Sequence, residues 1–477
     1  MLTKKNVLPN IALIFLFLVQ ACAPSLPIER ENTIALPQDF PNRMDAPTKT
    51  STADVAWKEF FHDPQLAYLI DEALKHNQEL NLLEQEINIA NNEIMARQGE
   101  YLPKIGMRAG GGVEKAERFS TEDANSVTKS GNIGLTATWE LDIWKKLRNA
   151  SKAAYFNYLG TIEGRRFMVT SLVAEIANTY FELMALDNQM EIIDSYIKVL
   201  TQIKGMVVYQ QKAARVTSLA VKRFEAEVYK NQSRKYKILQ QIILTQNKMN
   251  VLIGRFPQEV FRDSKKFSEF TFSKIKASVP THLLDHRPDV KKATLDLEAA
   301  KLNVKVAKAR FYPSLSIDGG VGYEQFNSKH FEDPATTSFY GLMGNITAPL
   351  LNRKAIKADY FSANNKQIQA VFNYELTLIK AYTDVANQLT KLKNLSKIYD
   401  LKVKQVAALT ESINISNILF RAARVDYIEA LFTQRDALEA QVELVEIKKQ
   451  QLSASVNLYK ALGGGWKGLD EKYESEY

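Results

Sequence analysis

His282 and His286 lie four residues apart with Asp285 between them, a spacing that sets two imidazoles on one helix face and can hold a metal ion. Two features argue against that chemistry: no third ligand is apparent beside them, and the pair falls at a predicted helix start. His62, His76 and His330 are scattered along the chain. There is no Gly-x-Ser-x-Gly elbow and no phosphate-binding loop, and no cysteine stands where it could serve as a nucleophile. The residues therefore predict no catalytic site, no metal site and no cofactor; the chain is expected not to be an enzyme.

The one thiol, Cys22, points to a different chemistry. It closes an apolar run at residues 11–19 that follows Lys4 and Lys5 and is too short to span a bilayer, the layout of a secretory signal. Val19-Gln20-Ala21-Cys22 resembles the bacterial lipoprotein signal, which implies removal of residues 1–21 and diacylglycerol and N-acyl chains on Cys22. Several acyl chains on one residue anchor far more firmly than one. Ala23 follows, where lipoproteins held at the inner membrane of enteric bacteria often carry Asp, which favours the outer membrane. Residues 22–56 are rich in proline and polar side chains and read as a lipidated tether or wrapping arm.

The remaining chain is written twice. Tyr101-Leu102-Pro103-Lys104-Ile105 returns about 210 residues later as Phe311-Tyr312-Pro313-Ser314-Leu315, and Ala213-Ala214-Arg215-Val216 returns as Ala422-Ala423-Arg424-Val425. Each copy reads as a long helix, a proline, a pair of alternating strands and two more long helices. The expected boundaries are 57–263 for the first copy, 264–279 for the connection, 280–463 for the second copy and 464–477 for a tail. A repeat of this length marks a duplicated half-molecule. Net charge is +8, with acidic and basic residues alternating along the helices and no basic run interleaved with aromatics. This pattern excludes nucleic acid as an expected partner.

Four segments alternate with period two, at about 104–112, 131–141, 314–324 and 338–347. Ile105, Met107 and Ala109 alternate with Lys104, Gly106 and Arg108, and Ile133, Leu135, Ala137 and Trp139 with Asn132, Gly134, Thr136 and Thr138. One apolar and one polar face over about ten residues suits a membrane barrel with lipid outside and water inside. Pro103 and Pro313 stand where helix gives way to strand, and residues 115–129 and 325–337 become hairpin loops. Four strands cannot close a barrel, because an open edge in lipid leaves backbone groups unpaired. Two chains would supply about eight strands and three about twelve, the latter wide enough for a lumen.

Residues 144–211 and 352–420 contain no proline, and at 1.5 Å per residue each forms a rod of roughly 100 Å. Val169, Leu172, Val173, Ile176, Tyr180 and Leu183 form an apolar stripe on one rod, as Leu376, Ile379, Tyr382, Val385 and Leu389 do on the other. Each rod reaches the Ala-Ala-Arg-Val turn and returns as a shorter helix, expected at 218–253 and 427–462, ending at Gly254 and Gly463. The copies differ at the barrel exit, Asp142 against Pro349, and at the turn, Thr217-Ser218 against Asp426-Tyr427. Thr217 and Asp426 are expected to cap the returning helices.

Trp57, Phe60, Asp63-Pro64, Leu66, Leu69-Ile70, Ala73-Leu74 and Asn77 match the opening pattern of a known family. Leu283-Leu284-Asp285-His286-Arg287-Pro288-Asp289-Val290 matches its Leu-Leu-x-x-Arg-Pro-Asp-Val/Ile signature, and Trp139-Glu140-Leu141-Asp142-Ile143-Trp144 its strand-to-helix exit. On these residues the chain resembles the TolC-like outer membrane efflux lipoproteins of the NodT or OprM-like branch. The resemblance implies a membrane α+β fold: a homotrimer with a 12-stranded outer membrane β-barrel, four strands per chain, continued by a long periplasmic α-helical coiled-coil barrel. It implies a passive channel for small molecules in a tripartite pump, lipid-anchored in the outer membrane of a Gram-negative bacterium.

The partners implied are a periplasmic membrane-fusion adaptor and an inner membrane transporter of the resistance-nodulation-division or ABC type. Ala214, Arg215, Val216, Ala423, Arg424 and Val425 would form the periplasmic tip that meets the adaptor. Relatives usually carry glycine where Ala214 and Ala423 stand. By the same resemblance Glu429 would form a three-fold carboxylate ring at the gate, with Phe432 adding an apolar constriction. The alternatives are a duct for type I or ABC-type secretion and a structural envelope lipoprotein that does not conduct.

Overall fold

The computed structural model describes residues 24–26, 30–31, 34–41, 51–115, 127–272, 275, 277, 279–325, 338–349, 353–422 and 424–467. Cys22 and its signal, most of both hairpin loops, Ala423 and the tail from 468 lie outside them. The helices and strands in chain order are α1 (Trp57–Phe60), α2 (Pro64–His76), α3 (Gln78–Tyr101), β1 (Lys104–Lys115), β2 (Val127–Leu141), α4 (Lys146–Lys212) and α5 (Ser218–Ile253). The second copy gives α6 (Leu283–His286), α7 (Pro288–Ala309), β3 (Ser314–Gln325), β4 (Ser338–Thr347), α8 (Arg353–Arg421) and α9 (Tyr427–Ala461). Among the described residues no helix is long and apolar enough to cross a membrane.

The chain forms two compact units, and each draws on both sequence copies. The first comprises residues 1–33, 86–161 and 292–375. Its centre is one antiparallel sheet in the order β1-β2-β3-β4. The register keeps the two faces apart over all four strands. Met107 lies opposite Leu135, Leu135 opposite Val321, and Val321 opposite Tyr340, so one face is apolar from edge to edge. Arg108, Thr136, Thr138, Asp318 and Asn345 share the other face. The apolar face is bare: Ile105 and Met107 are each 75% exposed and Leu342 82%. A water-soluble sheet would cover such a face, whereas lipid leaves it unburied by protein. Phe339, on the polar face, is an exception that alternation did not predict. Its ring lies over Gly134, Gly320 and Gly322, where a Cβ at Gly322 would approach the ring to 3.0 Å.

Tryptophans fix the helix–strand junctions. Trp139 Nε1 donates to the Tyr101 carbonyl at 3.0 Å, and Trp144 Nε1 donates to the Pro313 carbonyl at 2.7 Å while its ring stacks on Tyr312. Between them, Asp142 starts α4. Its carboxylate accepts the backbone N–H groups of Leu147 and Arg148, each at 2.9 Å, and the Arg148 Nε at 3.1 Å. Burial alone would raise its pKa, but these donors outweigh burial and hold the carboxyl below its usual range. Asp142 and Pro349 each stand four residues before their long helices, which start at Lys146 and Arg353, as the expected match has it; strand pairing gives a second alignment. Lys104 faces Thr138 and Ser314 faces Thr347, so two residues further along Pro349 stands level with Glu140.

The second unit comprises residues 34–85, 162–291 and 376–477. The opening pattern Trp57, Phe60, Leu66, Leu69, Ile70 and Ala73 is buried core. Phe60 stacks on Tyr459 at 4.1 Å and on Phe272 at 4.9 Å. Asp63 caps α2 by accepting from the N–H groups of Gln65 and Leu66, with Pro64 in the first turn, and its other oxygen accepts the Tyr180 hydroxyl at 3.0 Å.

The duplication recurs here in detail. Asn77 Nδ2 donates to the Leu252 carbonyl at 2.8 Å, and Arg287 Nη1 donates to the matching Ala461 carbonyl at 3.0 Å. Gly254 and Gly463 have φ of 82° and 92°, and a Cβ at either would stand 2.2 Å from the His76 oxygen or 2.4 Å from the His286 oxygen. Only glycine fits both the conformation and the space. Arg287 also forms a two-pronged pair with Asp289, at 2.9 and 2.6 Å, so the Arg287-Pro288-Asp289 signature ties helix ends together.

Described residues of the 22–56 segment pack against helices of both units. In the first unit Leu26 packs against the cluster of Phe311 and Tyr360, and Arg30 pairs with Glu375 at 3.0 Å with its guanidinium over Phe372. In the second unit Phe40 stacks on Tyr382, whose hydroxyl donates to the Asp39 carbonyl.

Candidate functional site

Two helical hairpins, α4–α5 and α8–α9, carry the predicted tip. Beneath the first turn, Leu186, Ile193, Leu200 and Val207 recur every seven residues on α4 and pack with Phe224 and Val228 of α5 and Leu431 and Leu438 of α9. That interval is a coiled-coil seam, and it holds the two chain directions of a hairpin side by side.

The turn itself is a six-residue helix ending. The Arg215 N–H donates to the Gln210 carbonyl and the Ala214 N–H to the Gln211 carbonyl, both at 2.9 Å. Ala214 sits at the position that must be left-handed, with φ of 56°. The second turn repeats the long bond, from the Arg424 N–H to the Leu419 carbonyl at 2.9 Å. Gly254 and Gly463 close their helices with the same pair of bonds. Alanine at the first tip turn therefore keeps glycine's geometry and carries the strain that glycine would avoid.

Ala214, Arg215 and Arg424 are exposed, and Val216 and Val425 are half-buried. Val216 joins the seam cluster together with Tyr427 and Phe420. The two copies thus present an exposed arginine followed by a half-buried valine. Thr217 and Asp426 occupy the N-cap positions with extended backbone, but neither side chain makes a capping hydrogen bond. The expected caps are therefore absent in both turns, and the seam and the helix-ending bonds hold the turns instead.

Glu429 and Phe432 both lie on the exposed side of α9, Phe432 at 44%. That side continues through Asp436, Glu439 and Glu443, at intervals of three and four, as an acidic stripe. Phe432 is not a bare ring. The Arg435 guanidinium lies over it at 4.7 Å and bonds to Asp436 at 3.2 Å. Sequence reasoning missed Arg435, although its place three residues after Phe432 on a helix was the available signal. Glu443 is paired with Lys402 of α8.

His286 is engaged elsewhere: Nε2 meets Asp54 at 2.9 Å and Nδ1 the His282 carbonyl at 2.9 Å. Among the described residues there is no cluster of three or more His, Cys, Asp or Glu side chains placed to hold a metal.

A four-stranded sheet with one bare apolar face, together with long hairpins ending in exposed paired turns, defines an outer membrane channel protein of the strand-and-long-helix class. A family model for the outer membrane efflux proteins matches residues 69–255 and again 279–464. The chain belongs to the outer membrane efflux protein family, and it is an outer membrane channel component of the efflux kind. It is 24% identical over 457 residues to the probable outer membrane lipoprotein SilC of Salmonella typhimurium, covering 94% of this chain and 97% of that one. It is 25% identical over 468 residues to the pyoverdine export outer membrane protein OpmQ of Pseudomonas aeruginosa, covering 96% and 97%. The crystal structure of the open state of the Neisseria gonorrhoeae MtrE outer membrane channel superposes with a TM-score of 0.82 at 25% identity, covering 94% and 99%.

Proposed function

We propose that the chain is the passive exit duct of a tripartite efflux pump, anchored by acyl chains on Cys22 and assembled as a homotrimer whose twelve strands close one barrel. The observation that carries this reading is the sheet: one face apolar across all four strands, the other polar apart from Phe339 and Met343, with open edges on β1 and β4. Such edges in lipid must pair with other chains, and a polar face turned inward leaves a wet path.

The turn at Ala214, Arg215 and Val216, with its counterpart in sequence at Ala423, Arg424 and Val425, is the docking point for a periplasmic adaptor. The adaptor connects the duct to an inner membrane transporter of the resistance-nodulation-division or ABC type, which supplies the energy. Near the tip, three copies of Glu429 form the gate ring, and Phe432 with its covering Arg435 narrows it. Carboxylates gathered about one axis repel one another and attract cations.

The test is capture from native membranes. Detergent extraction of the tagged wild type is expected to recover an adaptor and a pump subunit. Arg215→Glu with Arg424→Glu is expected to lose both while the trimer persists. Full recovery with the charge-reversed tip would overturn the docking assignment.

A further inference from the structure

The two open strand edges, on β1 and β4, carry enough information to fix how neighbouring copies join. The first and second copies supply equivalent strands, β1 with β3 and β2 with β4. Thr138 of β2 faces Lys104, and Thr347 of β4 faces Ser314, the residues that follow Pro103 and Pro313. Thr138 and Thr347 are therefore counterparts. Asp318 lies four residues beyond Ser314 as Arg108 lies four beyond Lys104, so those two are counterparts as well. Within the chain, the β2–β3 joint sets Thr138 opposite Asp318.

We infer that β4 of one copy pairs antiparallel with β1 of the next in the same register, with Thr347 opposite Arg108, Ile346 opposite Ala109 and Leu342 opposite Val113. The inference rests on the trimeric barrel proposed above and adds the joint itself.

Face chemistry agrees with this register. Thr347 and Arg108 belong to the polar face, and Ile346, Ala109, Leu342 and Val113 to the apolar one. A slip by one residue would exchange the faces and put Leu342 in water, so odd registers are excluded. Even slips keep the faces, and only the duplication chooses among them. The register also explains Pro349. It falls opposite Gly106, where it has no N–H to give, so the ladder between copies stops short of the Lys104 end of β1. The β2–β3 joint continues to Leu141 opposite Leu315, which makes the joint between copies the shorter one.

Paired cysteines in native outer membranes test this. Directly opposite residues in an antiparallel pair stand about 4.5–5.5 Å apart at Cα, within disulfide reach, whereas partners two residues out of register stand about 7–8 Å apart. Thr347→Cys with Arg108→Cys, and Ile346→Cys with Ala109→Cys, are expected to give reducible dimer and trimer bands on oxidation with a membrane-permeant copper complex. Thr347→Cys with Gly106→Cys, and Ile346→Cys with Met107→Cys, are expected to give none. Cross-linking of the shifted pairs in place of the direct ones overturns the register and leaves the barrel standing. A trimer, measured by native mass, in which no pair cross-links overturns strand pairing at this edge. A monomeric native mass overturns the assembly reading itself, and the register with it.

Discussion

Exchanging alanine and glycine at equivalent helix endings is expected to have opposite effects at the tip and away from it. Ala214 sits at φ of 56° on an exposed turn. A left-handed conformation costs an ordinary residue roughly 1–2 kcal/mol, and the freedom glycine gains in the unfolded chain returns about 0.4–1 of it. Ala214→Gly should therefore stabilise the turn by roughly 0.5–1 kcal/mol. Gly254 is also left-handed, but a Cβ there would stand 2.2 Å from a backbone oxygen. Strain and displaced backbone together should cost Gly254→Ala roughly 2–5 kcal/mol. Hydrogen exchange on the detergent-purified protein reads both locally, at the Arg215 and Arg255 amides that donate into the two turns. Protection at Arg215 should rise by about two- to fivefold in Ala214→Gly, and protection at Arg255 should collapse in Gly254→Ala. A tenfold loss of protection at Arg215, or an unchanged Arg255, would refute the strain argument.

Arg287→Lys keeps the charge but loses the two-pronged pair with Asp289 and the reach to the Ala461 carbonyl at a buried site. It should cost about 2–4 kcal/mol in thermal unfolding, while Arg424→Lys on the exposed tip should cost nothing measurable. Burial alone would raise the Asp54 carboxyl, but hydrogen bonds from Lys467, His286 and the Ser51 N–H outweigh it and hold the pKa at about 2. Its contribution is therefore present above about pH 4 and lost as pH falls through about 2. Exchange protection around residues 51–57 should fall over that window in the wild type, and Asp54→Asn should remove the dependence. Glu429→Ala should raise conductance or weaken cation block in planar bilayers, and unchanged currents would remove Glu429 from the gate.

Where periodicity alone decides, the sequence was enough. The strands run one to four residues beyond the predicted ends at three of eight termini and meet them at the other five, and the long helices begin and end within two residues of expectation. The left-handed glycines at 254 and 463 were legible because the helix pattern stops there. Contacts between distant residues were not: nothing local in the sequence says that Arg287 reaches Ala461, or that Asn77 does the same task for the first copy. The caps at Thr217 and Asp426 failed for another reason. Residue type marks where a cap can form, and the side-chain torsion, which local sequence does not determine, decides whether it does. Phe339 broke the alternation because three glycines opened room for its ring on the polar face.

The central claim is that this chain conducts. Single-channel recording of the purified protein in planar bilayers tests it most directly, with the wild type and Glu429→Ala measured side by side. Discrete current steps that grow when Glu429 is replaced are the predicted result. A protein that inserts as a trimer yet passes no current in either form would contradict it, and would make the chain a tether of the cell envelope.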